Sequence, residues 1–236
     1  MLKPILFNGE MVKAILDGRK TVTRRIANIN TEITCNDETT SHEFEPDNFG
    51  DMAHKPTGFV CRKCGFGVAF PHSRVPCGTS LFRPRYWPGD ILYVRETWGV
   101  YCRNWWEADY FNYKADWQAQ ESPYGLTEPP KWRPSIHMPK EAARIYLRVK
   151  RVRVERLQKC GEGWCVDIER EGVKTPQDPI LYVNDDTFHA ALRAEMKKIW
   201  DSTIKPTDLP TYGWDANPWV WVIEFERISK EEAGCV

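Results

Sequence analysis

Residues 217–228, Asn217-Pro218-Trp219-Val220-Trp221-Val222-Ile223-Glu224-Phe225-Glu226-Arg227-Ile228, are the stretch whose reading decides the fold. Trp219, Trp221, Ile223 and Phe225 fall on one phase of a two-residue period, and Val220, Val222, Glu224 and Glu226 on the other. That alternation is the mark of a β-strand. Residues 144–156 give a second strand, in which Ile145, Leu147 and Val149 keep one phase and Val152 and Val154 the other. A change of phase inside a strand predicts a bulge near Lys150-Arg151, of the kind that bends a barrel strand. Ile91-Leu92-Tyr93-Val94-Arg95 is a third, entered through the Pro88-Gly89-Asp90 turn.

Helical periodicity is confined to short pieces. Met11, Ala14 and Ile15 follow i, i+3, i+4 spacing and predict a helix ending at Gly18 as its C′ residue. Residues 162–171 read as a helix stopped by Gly172, and Phe188, Ala191, Leu192, Met196, Ile199 and Trp200 define another, capped by Asp186 or Thr187. Residues 27–80 have weak periodicity and many polar, Gly and Pro residues, and read as an inserted loop region. Residues 103–131 read as a second, aromatic-rich loop insertion with one short strand. The expected class is mixed α+β, mainly β: one domain over 1–236, a small β-barrel with a few peripheral helices.

Composition narrows the function classes. With 11 Trp, 9 Tyr and 10 Phe in 236 residues the chain can bury too much apolar surface to be disordered. Equal numbers of basic and acidic residues, 33 of each, exclude a polybasic coat for nucleic acid but allow a local basic cleft. The charges come in blocks. Residues 26–54 hold seven acids and no Lys or Arg, whereas residues 140–159 hold eight basic residues against Glu141 and Glu155. Much of that second block is expected to be the solvated face of a strand. No apolar run reaches the ~18 residues needed to span a bilayer, so no membrane partner is expected. The N-terminal stretch carries Glu10 and Lys13 and does not read as a signal peptide. Eight cysteines without an export signal point to reduced thiols in the cytoplasm and to a metal site.

That metal site is sought in Cys61-Arg62-Lys63-Cys64-Gly65, a C-x2-C-G turn on which two thiolates can reach one ion at ~2.3 Å. Cys77, on a second glycine turn, is the expected third ligand. For the fourth, Cys35 leads over His42, His54 and His72, because it would close the loop and complete an all-thiolate site. Four protein ligands leave no open position, so the expected ion is structural zinc, a staple for a segment too polar to build a core.

Chemistry is sought elsewhere. Lys20 sits among Arg19, Arg24 and Arg25, and nearby positive charge lowers a lysine pKa. A neutral lysine beside a hydroxyl such as Thr23 could serve as general base for a threonine nucleophile, although a basic turn also suits phosphate or plain solvation. The segment from Arg19 to Arg25 is expected to be exposed. Arg95-Glu96-Thr97-Trp98 closes a strand and is followed by Tyr101, Trp105, Trp106, Tyr110, Tyr113 and Trp117. Aromatic faces beside basic groups suit stacking by a base, while most such rings belong to cores. His137 lies between Pro134 and Pro139.

Residues 4–26 (PILFNGEMVKAILDGRKTVTRRI), 88–98 (PGDILYVRETW), 132–145 (WRPSIHMPKEAARI), 152–158 (VRVERLQ) and 217–228 (NPWVWVIEFERI) together resemble an ASCH domain of the long type common in bacteriophages and prophages. The resemblance implies a PUA-like β-barrel whose cleft accepts RNA, a nucleotide or a modified base. Some small members remove the acetyl group from N4-acetylcytidine, and others are described as ribonucleases or RNA binders. On that resemblance Lys20 is the base, Thr23 the nucleophile and Glu171 the third catalytic member, with Arg25, Arg95, Glu96, Trp98 and His137 as substrate-binding candidates. Three functions are carried forward: a hydrolase of an N4-acylated cytidine or related modified nucleoside, a non-catalytic RNA or modified-base reader, and a ribonuclease or phage–host interaction protein.

Overall fold

The computed structural model describes residues 2–27, 32–34, 41–46, 58–61, 67–69, 84–101, 110–118, 128–161, 166–174 and 185–234, with backbone alone for the pieces between 32 and 69. The chain divides into two compact units of interleaved segments: Met1–Thr21, Gly89–Arg148 and Glu226–Val236 form one, and Val22–Pro88 and Val149–Phe225 the other.

Numbered along the chain, the first unit holds β1 (Leu2–Leu6), α1 (Gly9–Leu16), β7 (Ile91–Arg95), β8 (Trp98–Tyr101) and β9 (Tyr110–Tyr113). It also takes the first three residues of β10 (Tyr146–Arg156) and the last three of β11 (Trp219–Ile228). β1 runs parallel to β7, with Leu2 opposite Ile91 and Leu6 opposite Arg95, and β7 pairs antiparallel with Tyr146–Arg148. The predicted first helix forms as read. The Asn8 side chain caps it by accepting from the Met11 N–H at 2.9 Å, and Gly18 leaves it at φ 76°, a conformation that favours glycine. β8 pairs antiparallel with β9, which lies inside the region read as an aromatic-rich loop and is the short strand expected there. Gly99 is required on β8: a Cβ there would lie 2.6 Å from the Cγ of Pro130. Trp98, Met138, Ala142, Ala143, Tyr146 and Ile228 form this unit's core around Leu2, Ile91, Val100 and Phe111.

The second unit holds β2 (Val22–Ile26), β3 (Glu32–Thr34), β4 (Ser41–Pro46), β5 (Gly58–Cys61), β6 (Gly67–Ala69), α2 (Val166–Arg170), α3 (Asp185–Ser202) and α4 (Leu209–Tyr212). Its strands lie in the orders β10-β11-β2 and β3-β4-β5-β6. β11 pairs antiparallel with β2, placing Val220 opposite Ile26, Val222 opposite Arg24 and Glu224 opposite Val22. One face of this sheet packs Val22, Val220 and Val222 against Leu157, Ile168, Leu192, Met196, Trp200 and Trp214. Both faces of β11 are buried from Val220 to Ile223.

Three further readings change. Residues 27–80 are not loop throughout: β3 to β6 form a four-stranded sheet there. Three to six residues per strand are too few to show a period, and pieces such as His42-Glu43-Phe44-Glu45 alternate on polar side chains. Asp186 and Thr187 lie inside the first turn of α3, one and two residues past its start, and do not cap it. Acidic side chains favour that turn through the helix dipole, which mimics a cap signal in sequence. The burial of β10 does change phase between Val149 and Val152, as read. No pairing among the described residues closes the strands into a barrel. Among the described residues no helix is long and apolar enough to cross a membrane.

Candidate functional site

The predicted site residues divide between the units. Lys20 belongs to the first, Thr23, Arg25 and Glu171 to the second, and Arg95, Glu96, Trp98 and His137 to the first. The segment expected to be exposed is largely buried: Lys20 and Thr23 are each 3% exposed and Arg24 4%. Pairing with β11 withdraws Thr23 and Arg24, and the Lys20 N–H donates to the Ala14 carbonyl at 2.9 Å, folding the chain back on α1. The Lys20 Nζ stands 5.7 Å from the centre of the Phe7 ring. Arg19 stays outside on Asp17, at 2.9 Å, and Arg25 is exposed.

Around Arg24 the second unit builds an ionic network that the sequence reading missed. Nη1 donates to Glu171 Oε1 at 3.0 Å, and Nη2 donates to Glu155 Oε1 at 2.8 Å and Asp167 Oδ2 at 3.2 Å. Arg153 donates through Nε to Glu155 Oε2 at 3.1 Å, through Nη2 to Asp167 at 2.5 Å and through Nη1 to Glu224. Arg170 joins Asp167 and Glu224 at the outer end. Burial alone would lower the Arg24 pKa, but the charges of Glu171 and Glu155 outweigh it and hold the guanidinium protonated. The neighbouring Cys160 thiol is pushed up to about 12, first by burial and against the pull of Arg24, so it stays uncharged. The Arg24 Nε is buried with no hydrogen-bond partner among the described residues. A signal was available: Val22, Arg24 and Ile26 share one face of a strand, which sets a cation in an apolar row.

In the first unit, the predicted binding residues gather on the loop between Pro134 and Pro139. Arg95 donates from Nε to the Met138 carbonyl at 2.8 Å and from Nη2 to that of Ile136, and the Glu96 N–H donates to the Met138 Sδ at 3.2 Å. Arg95 thus holds the turn that carries His137, which is exposed beside Ile136. The Glu96 carboxylate is 1% exposed and grips Arg144 with both oxygens, at 2.9 and 3.0 Å. Arg144 also donates to both Asp116 oxygens and lies 3.9 Å from the Tyr113 ring centre. Burial raises the Glu96 pKa, and the Arg144 bond only partly offsets it. Tyr113 is pushed up to about 12 by burial and keeps its proton to bond the Ala142 carbonyl at 2.7 Å. Trp98 is buried against Phe111, with Arg133 5.1 Å from the centre of its ring, and its indole N–H has no partner among the described residues.

No family model, no curated protein and no solved structure matches this chain. The resemblance drawn above rests on the quoted motifs alone.

The basic block of residues 140–159 is compensated in part by these contacts. Arg144 and Arg153 are committed as described, Arg148 pairs with Glu226 at 3.2 Å, and Arg156 lies 4.2 Å from the centre of the Trp219 ring. Lys150 and Lys159 are exposed. Of the expected metal ligands, Cys61 is the last residue of β5, while Cys35, Cys64 and Cys77 lie outside the described residues. Among the described residues no group of three or more potential ligands forms.

Proposed function

We propose that this protein hydrolyses an N4-acylated cytidine or a related modified nucleoside on a PUA-like scaffold. The observation that carries the reading is the burial of Lys20 and Thr23, each 3% exposed and three residues apart on one stretch of chain. A lysine buried this deeply is uncommon, which marks Lys20 as a candidate for a functional role. In the proposed reaction Lys20 takes the Thr23 hydroxyl proton, and the Thr23 oxygen attacks the acyl carbonyl. The resulting ammonium returns the proton to the departing cytosine amine, and water then hydrolyses the acyl-threonine ester. Glu171 orients the reacting groups, while Arg25, exposed beside Thr23 on β2, is offered to the substrate. Arg95 and His137 act through the turn they share, and Glu96 and Trp98 through the first unit's core.

The test compares wild type with Lys20→Ala on a panel of N4-acylcytidines, with product masses as the readout. The expected loss in the variant is on the order of 100-fold or more, at unchanged circular dichroism. A wild type inert on every nucleoside would remove the hydrolase reading. The second reading, a non-catalytic RNA binder, draws on exposed Lys150, Arg156 and Lys159. It predicts affinity that falls steeply with salt, and affinity constant across salt would exclude it.

A structural zinc held by Cys35, Cys61, Cys64 and Cys77 is proposed alongside. Cys61 ends β5, which pairs antiparallel with β6, and Cys64 follows it in the C-x2-C-G motif, outside the described residues. Metal analysis of protein purified without added zinc should give about one ion per chain, and a clean zero would reduce these cysteines to ordinary thiols.

A further inference from the structure

We infer that Arg24 is a positioning residue that fixes the Glu171 carboxylate for the hydrolysis proposed above, on which this inference rests. As a device for stability the arginine makes poor sense. It interrupts an apolar row between Val22 and Ile26, opposite Val222, at the edge of the second unit's core. A buried ion pair of this kind can commonly be exchanged for apolar side chains at no loss of stability. This one also leaves its Nε buried without a partner, a further cost.

What the arrangement does accomplish is immobilisation. Glu155 on β10 and Asp167 on α2 clamp Nη2, which fixes the plane of the guanidinium and therefore the direction of Nη1. Nη1 carries Glu171 Oε1 at 3.0 Å. The main chain of Glu171 is set independently: its N–H donates to the carbonyls of Asp167 and Ile168, and Gly172 follows at φ 84°. Backbone and carboxylate are thus each held from a different side. Arg24 follows Thr23 on β2 with its side chain on the opposite face of the strand, so it holds Glu171 from the core side of the strand that carries the proposed nucleophile. A lysine could keep the charge but not the fork that spans three carboxylates.

The experiment measures kcat and KM on an N4-acylcytidine for wild type, Arg24→Lys, Glu171→Gln and the double variant, each checked for folding by urea unfolding. Arg24→Lys should lower kcat on the order of 100-fold with KM little changed, since misplacing a reacting group costs about that much. Added to Glu171→Gln it should lower kcat no further, because the two act as one unit. If Arg24→Lys does not fold, Asp167→Asn tests the same point. It loosens the clamp at a partly exposed position and should lower kcat about ten-fold. Wild-type kcat in whichever folded variant is measured, or independent multiplication of the two losses, would overturn the inference while leaving the hydrolase intact. An inert wild type would instead defeat the hydrolase reading itself.

Discussion

The two units each bury an ionic cluster, and the clusters are built in opposite senses. In the second unit a cation sits at the centre: the Arg24 side chain is 1% exposed and three carboxylates from β10, α2 and the chain after α2 converge on it. In the first unit an anion sits at the centre: the Glu96 side chain is 1% exposed, and among the described residues one arginine, Arg144, covers it from the solvent side at 26% exposure. Arginine cannot shed its proton, so its burial has to be answered by counter-charge brought from several elements. A carboxyl group can take a proton instead, and the raised pKa of Glu96 shows burial pressing in that direction. One partner therefore suffices in the first unit, whereas the second needs a network.

The sharpest way to break this comparison is Arg24→Met. It removes the Arg24 bonds from Glu155 and Glu171, both buried, and should cost about 3–5 kcal/mol in urea unfolding at neutral pH. Arg144→Met is the matching change in the first unit. Its cost should be smaller, about 1.5–3 kcal/mol, and should shrink on acidification as Glu96 becomes protonated. Equal and pH-independent costs for the two variants would erase the distinction.

Glu96→Gln tests the sign directly. A carboxyl whose folded pKa is raised binds its proton more tightly in the folded state. Its contribution is full below the ordinary value of 4.5 and is lost as pH rises through the folded value. The stability advantage of wild type over Glu96→Gln should thus narrow as pH rises from 4.5 toward neutrality, by about 1.4 kcal/mol for each unit of pKa shift. A gap that widened over this range would mean that Arg144 outweighs burial. The smallest effect is expected from Asp116→Asn, because Asp116 is 47% exposed and pairs with Arg144 from the outside. Its loss should cost under about 1 kcal/mol and disappear at high salt.

Much of the backbone was legible because it is written in local periods. The alternation in 217–228 gave β11, the change of phase in 144–156 gave the shift in β10 burial, and the Gly18 stop gave the end of α1. Strands β3 to β6 escaped because each is too short to display a period. Lys20, Thr23 and Glu171 could be named from their residue types and from resemblance, but their burial could not, since nothing in the local sequence announces, for example, that Val22–Ile26 will pair with β11.

Sequence by itself determined the residue types, the strand and helix phases and the list of groups able to carry charge or metal. Only the tertiary structure decided their partners. Arg24 and Glu171 are 147 residues apart and Glu96 and Arg144 are 48 apart, and such pairings follow from which elements pack together. That packing is set by the sum of apolar burial over a whole unit. A charge at a given position reads the same in sequence whether the fold sends it to solvent, as with Arg25, or seals it among carboxylates, as with Arg24.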